Sequence, residues 1–109
     1  MNKKQIDLSP ITLDEFKYKD KILKFNETFS KNPEFEKPEP GENNGLYTFE
    51  YREIELDCYS LDKDKLEIAI KEQLEFLWSE YAEEKDENLT NSAKILKNNL
   101  LSKITKINR

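Results

Sequence analysis

Histidine is missing from this chain of 109 residues, and cysteine occurs once, as Cys58. Without an imidazole, general acid–base chemistry at neutral pH needs a carboxylate, lysine or tyrosine with a shifted pKa. The acids on offer stand mostly in solvated runs such as EKPEPGE and EEKDE. Zinc loses its commonest donors with the same absences, and Asp62-Lys63-Asp64 lacks the glycine and terminal glutamate of a calcium loop. A lone cysteine closes no intramolecular disulfide; in a strand-like run it reads as a small buried hydrophobe, in keeping with a reducing compartment. The two glycines, Gly41 and Gly45, fall in one loop with no helix start behind them, so no phosphate-cradling loop is expected. No apolar run approaches the length of a bilayer span, and the N-terminus has no apolar leader core. The expectation is a soluble, cytoplasmic, non-enzymatic protein with no cofactor and no metal.

What the chain does have is charge, 38% of its residues, and a net of −5 that is unevenly spread. Residues 89 to 109 hold five basic groups (Lys94, Lys97, Lys103, Lys106, Arg109) and no acid, which leaves residues 1 to 88 with 13 basic and 23 acidic groups. An acidic body with a basic end repels nucleic acid over most of its surface and suits a basic protein partner. The aromatic and branched aliphatic residues fall into periodic blocks, the mark of one folded domain over residues 1–109.

Two apolar blocks, Phe16 and Tyr18, then Leu23, Phe25 and Phe29, flank the polar pair Lys19-Asp20 and read as a hairpin. A helix starting at Ser9-Pro10 ranks second, because the apolar positions lose a 3.6 period after Tyr18. Residues 31–45, KNPEFEKPEPGENNG, hold three of the four prolines and both glycines and read as a loop. Leu66, Ala69, Ile70, Leu74, Leu77, Trp78 and Tyr81 then recur at helical spacing, with Asp62 or Asp64 placed to cap the start. Ile68 and Phe76 lie off that stripe. They either widen it, the commoner outcome, or form an exposed apolar spot. A second helix starts at Thr90 or Asn91 and carries Ile95, Leu96, Leu100, Leu101, Ile104 and Ile107. The expected fold is α+β: an antiparallel sheet of about four strands (near 11–18, 21–29, 46–51 and 54–59) packed on two C-terminal helices (near 62–84 and 90–106).

Residues 47–60, YTFEYREIELDCYS, pose the sharpest question. Tyr47, Phe49 and Tyr51 have one parity; Ile54, Leu56 and Cys58 have the other. A straight strand would send these sets to opposite faces. Either a bulge or tight turn at Arg52-Glu53 keeps both in the core, which is favoured, or the aromatic row faces outward as a contact surface of the kind protein interfaces use.

The stretch IELDCYSLDKDKLEIAIKEQLEFLW, residues 54–78, resembles the strand-then-helix element of HicB-like antitoxins, where a polar turn leads into a leucine-rich helix. Arg52-Glu53 stands where that family usually carries a Pro-Gly turn. The resemblance implies sequestration of a small toxic ribonuclease. The acidic body, the missing catalytic groups and the tyrosine-rich strand point to a protein that binds and neutralises a basic partner, of the antitoxin, immunity or phage-encoded inhibitor kind. The partner-binding candidates are Tyr47, Phe49, Tyr51, Glu50, Glu53, Glu55 and Asp57, whose acids would make affinity fall with salt. The alternative is a nucleic-acid-binding regulator using Lys94, Lys97, Lys103 and Lys106 on the basic C-terminal helix. A homodimer paired through a sheet edge or the aromatic face is a third reading, and no membrane partner is expected.

Overall fold

In the computed structural model, which describes residues 6–37, 40 and 45–107, the chain forms two three-stranded antiparallel sheets and two helices. Sheet A has the order β1-β2-β6, from Ile11–Tyr18, Lys21–Lys31 and Ile104–Ile107. Sheet B has the order β3-β4-β5, from Glu34–Glu36, Leu46–Tyr51 and Leu56–Ser60. Helix α1 runs Lys63–Leu77 and helix α2 Asn91–Lys103. The α+β class and the two C-terminal helices agree with the sequence reading; the single four-stranded sheet becomes two sheets of three.

Both additions to the strand count sit where the sequence signal is weak. Strand β3, Glu-Phe-Glu, lies inside the expected loop; Phe35 turns inward against Tyr47, their ring centroids 5.0 Å apart. Gly45, just before β4, leaves no room for a side chain, since a Cβ there would stand 2.1 Å from the Phe35 ring. Gly41, also assigned to the loop, is outside the described residues. Strand β6 replaces the last turn of the expected second helix. Ile104 and Ile107 fit helical spacing, but Ile-Thr-Lys-Ile is mostly β-branched and completes the β2 edge, pairing Phe25 with Ile104 and Ile22 with Ile107.

The phase problem of YTFEYREIELDCYS is solved by a single 3₁₀ turn at Arg52–Ile54. Its exit residue, Glu55, takes a left-handed conformation (φ 54°, ψ 35°), and the Glu55 N–H donates to the Arg52 carbonyl at 2.9 Å. The turn reverses the chain, so that Tyr51 pairs with Leu56, Phe49 with Cys58 and Tyr47 with Ser60. All six apolar residues therefore point inward, and Ile54 is fully buried at the corner. A related shift occurs in β1, where the buried parity changes between Leu13 and Phe16, opposite an irregularity in its pairing with β2.

Helix α1 starts where the Asp62 carboxylate accepts from the Lys65 N–H at 3.0 Å. It packs Leu66, Ile70, Leu74 and Leu77 on the core, each buried side chain contributing about 1.5–3 kcal/mol. A π-helical segment, Trp78–Ala82, continues it and buries Trp78; the Tyr18 hydroxyl donates to Glu83 just beyond at 2.7 Å. Helix α2 is capped by the Thr90 hydroxyl, which accepts from the Ala93 N–H at 3.2 Å. Its Asn99 amide donates to the Glu53 carbonyl at 3.0 Å, so the helix holds the 3₁₀ turn in place. Where the two sheets meet, the Phe29 ring from β2 stacks on Tyr51 of β4 with centroids 3.7 Å apart and meets Phe49 edge-on.

Candidate functional site

Because α1 and the core take the inner side of sheet B, its other side is left to solvent. Alternation along β4 and β5 sends Thr48, Glu50, Asp57 and Tyr59 to that side. Cross-strand pairing arranges them in rows: Glu34, Thr48 and Tyr59 form one, Glu50 and Asp57 the next, Glu36 and Leu46 a third. Four carboxylates and one strongly exposed tyrosine (Tyr59, 70%) thus share one small face.

The Glu50–Asp57 pair is the most informative element of that face. Like charges directly opposite one another across an antiparallel ladder destabilise it. Here the repulsion is partly answered by Arg52, which ion-pairs with Glu50, and by the Lys31 ammonium, which donates to the Glu50 carbonyl at 3.0 Å. The Arg52 hydrogen bond, and then its charge, hold the Glu50 carboxyl below the usual carboxylate range, and the same contact raises Arg52. Asp57, Glu34 and Glu36 form no ion pair among the described residues. Between them, Lys31, Thr48, Glu50 and Arg52 outline a shallow depression of about 250 Å³. A face so built attracts cations and guanidinium groups, and its hydroxyl-bearing ring offers a rigid contact.

The sequence candidates divide accordingly. Glu50 and Asp57 lie together on the outer face of sheet B. Glu53 and Glu55 stand on the 3₁₀ turn at one end of that sheet, with Glu53 ion-paired to Lys103 of α2. Tyr47, Phe49 and Tyr51 do not form a contact surface: all three are buried, because the turn at Arg52–Ile54 folds their row onto the core. The exposed aromatic is Tyr59, which sequence reasoning passed over. Its parity with Asp57, opposite to that of Leu56 and Cys58, was the available signal. Ile68 and Phe76, expected to widen the buried stripe, are instead exposed, at 59% and 51%.

The lysines of the alternative reading are dispersed. Lys97 donates to the Glu84 carbonyl at 2.5 Å and pairs with Asp86 at 2.8 Å, which holds the Asp86 carboxyl below its usual range. Lys103 is raised by its hydrogen bond to Glu53 and lies 5.8 Å from the Tyr51 ring centre. Lys106 is on β6 rather than on the helix, which ends at Lys103. Arg109 lies outside the described residues.

Cys58 is buried, and burial followed by the nearby Asp57 charge pushes its thiol up to about 11. Among the described residues, no three or more of Cys, Asp and Glu stand together as metal ligands, and no helix is long and apolar enough to cross a membrane. Comparison with models of protein families, with curated proteins and with solved structures finds no match to this chain.

Proposed function

We propose that this protein binds a basic protein partner and neutralises it, in the manner of an antitoxin, an immunity protein or a phage-encoded inhibitor, without chemistry of its own. The observation that carries the proposal is the outer face of sheet B. There Glu50 and Asp57 are set opposite one another at a cost to the ladder, beside Glu34, Glu36 and the exposed Tyr59. Carboxylates gathered on one face gain when a lysine or arginine arrives between them, which favours association with a basic partner. The resemblance of residues 54–78 to HicB-like antitoxins lends support of a different kind, since that strand-and-helix element is β5, the Asp62 cap and α1.

Affinity capture from the source cell tests the proposal, with the native chain compared against a variant combining Glu34→Gln, Glu50→Gln and Asp57→Asn. The expected result is a basic protein retained by the native chain, released by salt and lost with the variant, whose own activity or toxicity falls when the two are co-expressed. Recovery of the chain alone, or with nucleic acid only, rejects the reading.

A further inference from the structure

Strand β5 is the outermost strand of sheet B: among the described residues only β4 pairs with it. An edge strand leaves alternate N–H and C=O groups without partners, and proteins usually guard such an edge with lysine, proline, a bulge or a covering loop. The sequence of β5, Leu-Asp-Cys-Tyr-Ser, has one charge, Asp57, and neither lysine nor proline, and its pairing with β4 has no bulge.

The flank of α1 beside this edge is unusual too. Between strand and helix runs an open groove of about 370 Å³, floored by Cys58 and Ala69 and walled by Tyr59 and Phe76. Glu72 and Phe76 stand one helical turn apart along its helix side, with Ile68 a further turn back on the same face, and Phe76 and Ile68 are large, apolar and exposed. Asp57 and Glu72 supply the groove's charge, and no cation lines it. An exposed edge alone fits several occupants; an edge beside an apolar groove of single-sign charge selects among them. A second copy of this chain would bring another Asp57 and another Glu72 to the same edge and add no cation. An extended segment alternating lysine or arginine with apolar side chains would satisfy the edge, fill the groove with its apolar side chains and bring its basic ones to the outer face beside Asp57.

Building on the proposed partner-binding role, we infer that the partner docks by adding such a basic strand to β5. Its main chain extends sheet B, and its apolar side chains enter the groove beside Phe76. Five residues of β5 offer about 17 Å of edge, enough to fix the register of one short strand.

The test uses the full-length ¹⁵N-labelled chain and a short synthetic peptide alternating lysine with valine. Two controls accompany it: the same peptide N-methylated at alternate amides, which cannot pair with an edge, and a glutamate–valine counterpart. At about 50 mM salt the lysine–valine peptide is expected to shift amide signals along residues 56–60 and 69–76, and neither control to do so. Phe76→Ala and Asp57→Asn, both solvent-facing changes, are each expected to weaken binding about tenfold. Equal binding of the N-methylated peptide, with shifts confined to Glu34, Thr48 and Glu50, overturns strand addition while leaving a basic ligand on the acidic face. Absence of binding by either basic peptide also overturns it, and the capture experiment then judges the wider role separately. Sedimentation showing a dimer paired through β5 without peptide overturns it in favour of a second copy.

Discussion

Glu55 carries an unusual local burden, because a non-glycine residue in the left-handed region costs about 1–2 kcal/mol. Glycine there would remove that strain but make the unfolded chain more flexible, a loss of about 0.5–1 kcal/mol. Glu55→Gly is therefore expected to hold or slightly raise stability in urea, and Glu55→Val to lower it by about 1 kcal/mol or more. A stable Val variant would mean that the turn at Arg52–Ile54 can be rebuilt without a left-handed exit. Cys58 gives a second residue-level expectation. With its thiol moved from 9.0 to about 11, it should react with a thiol reagent at pH 8 about a hundredfold more slowly than in the denatured chain. A folded-state pKa raised above the unfolded one favours the protonated native form. That stabilisation is complete below about pH 9 and is lost as pH climbs from 9 to 11; Cys58→Ala should flatten that part of the stability curve. Residue by residue, the buried set was largely legible. Leu66, Ile70 and Leu74 declare themselves by period, whereas the side on which Tyr47, Phe49 and Tyr51 fall depends on a turn that leaves no glycine or proline as its mark.

At the scale of elements, helices announced themselves better than strands because their signals overlap. Helix α1 has a stripe, an acidic cap and a long period that agree, and its observed start at Lys63 follows the Asp62 cap. Replacing Asp62 or Thr90 by Ala should each cost about 1 kcal/mol in thermal unfolding, the usual worth of an N-cap; no change in either would show that tertiary packing alone sets these helix starts. Strands β3 and β6 were missed for opposite reasons. Three residues between prolines are too few for alternation to register, and Ile104 with Ile107 satisfies a helical repeat as well as an edge pairing. What decided β6 was its partner, the β2 edge, which no local pattern can reveal. The outer face of sheet B was half visible for the same reason: Glu50 and Asp57 stand out by charge, yet Glu34 and Glu36 join them only through pairing across β4.

As a whole the molecule is long for its size. Its radius of gyration is 16.1 Å, against about 13 Å for a compact chain of this length, and it measures 54 × 32 × 21 Å. At the junction of the two sheets Phe29 packs on Tyr51 and Phe49. Phe29→Ala should accordingly cost about 3 kcal/mol in urea unfolding although the ring is only half-buried. A loss below about 1 kcal/mol would mean that the sheets are joined chiefly by other contacts.

The connection order of sheet A bears on how the chain is made. Strand β6 pairs with β2 across nearly the full sequence, Ile22 against Ile107, whereas β3, β4, β5 and α1 are contiguous from Glu34 to Leu77. On a ribosome the second group can assemble before β6 has left the exit tunnel, and closing the longer loop must wait. Pulse-labelled hydrogen exchange during refolding should find the amides of β4 and β5 protected before those of β6. Until β6 emerges, the β2 flank that it will occupy stays bare, and the net negative charge of the preceding residues opposes pairing between neighbouring nascent chains.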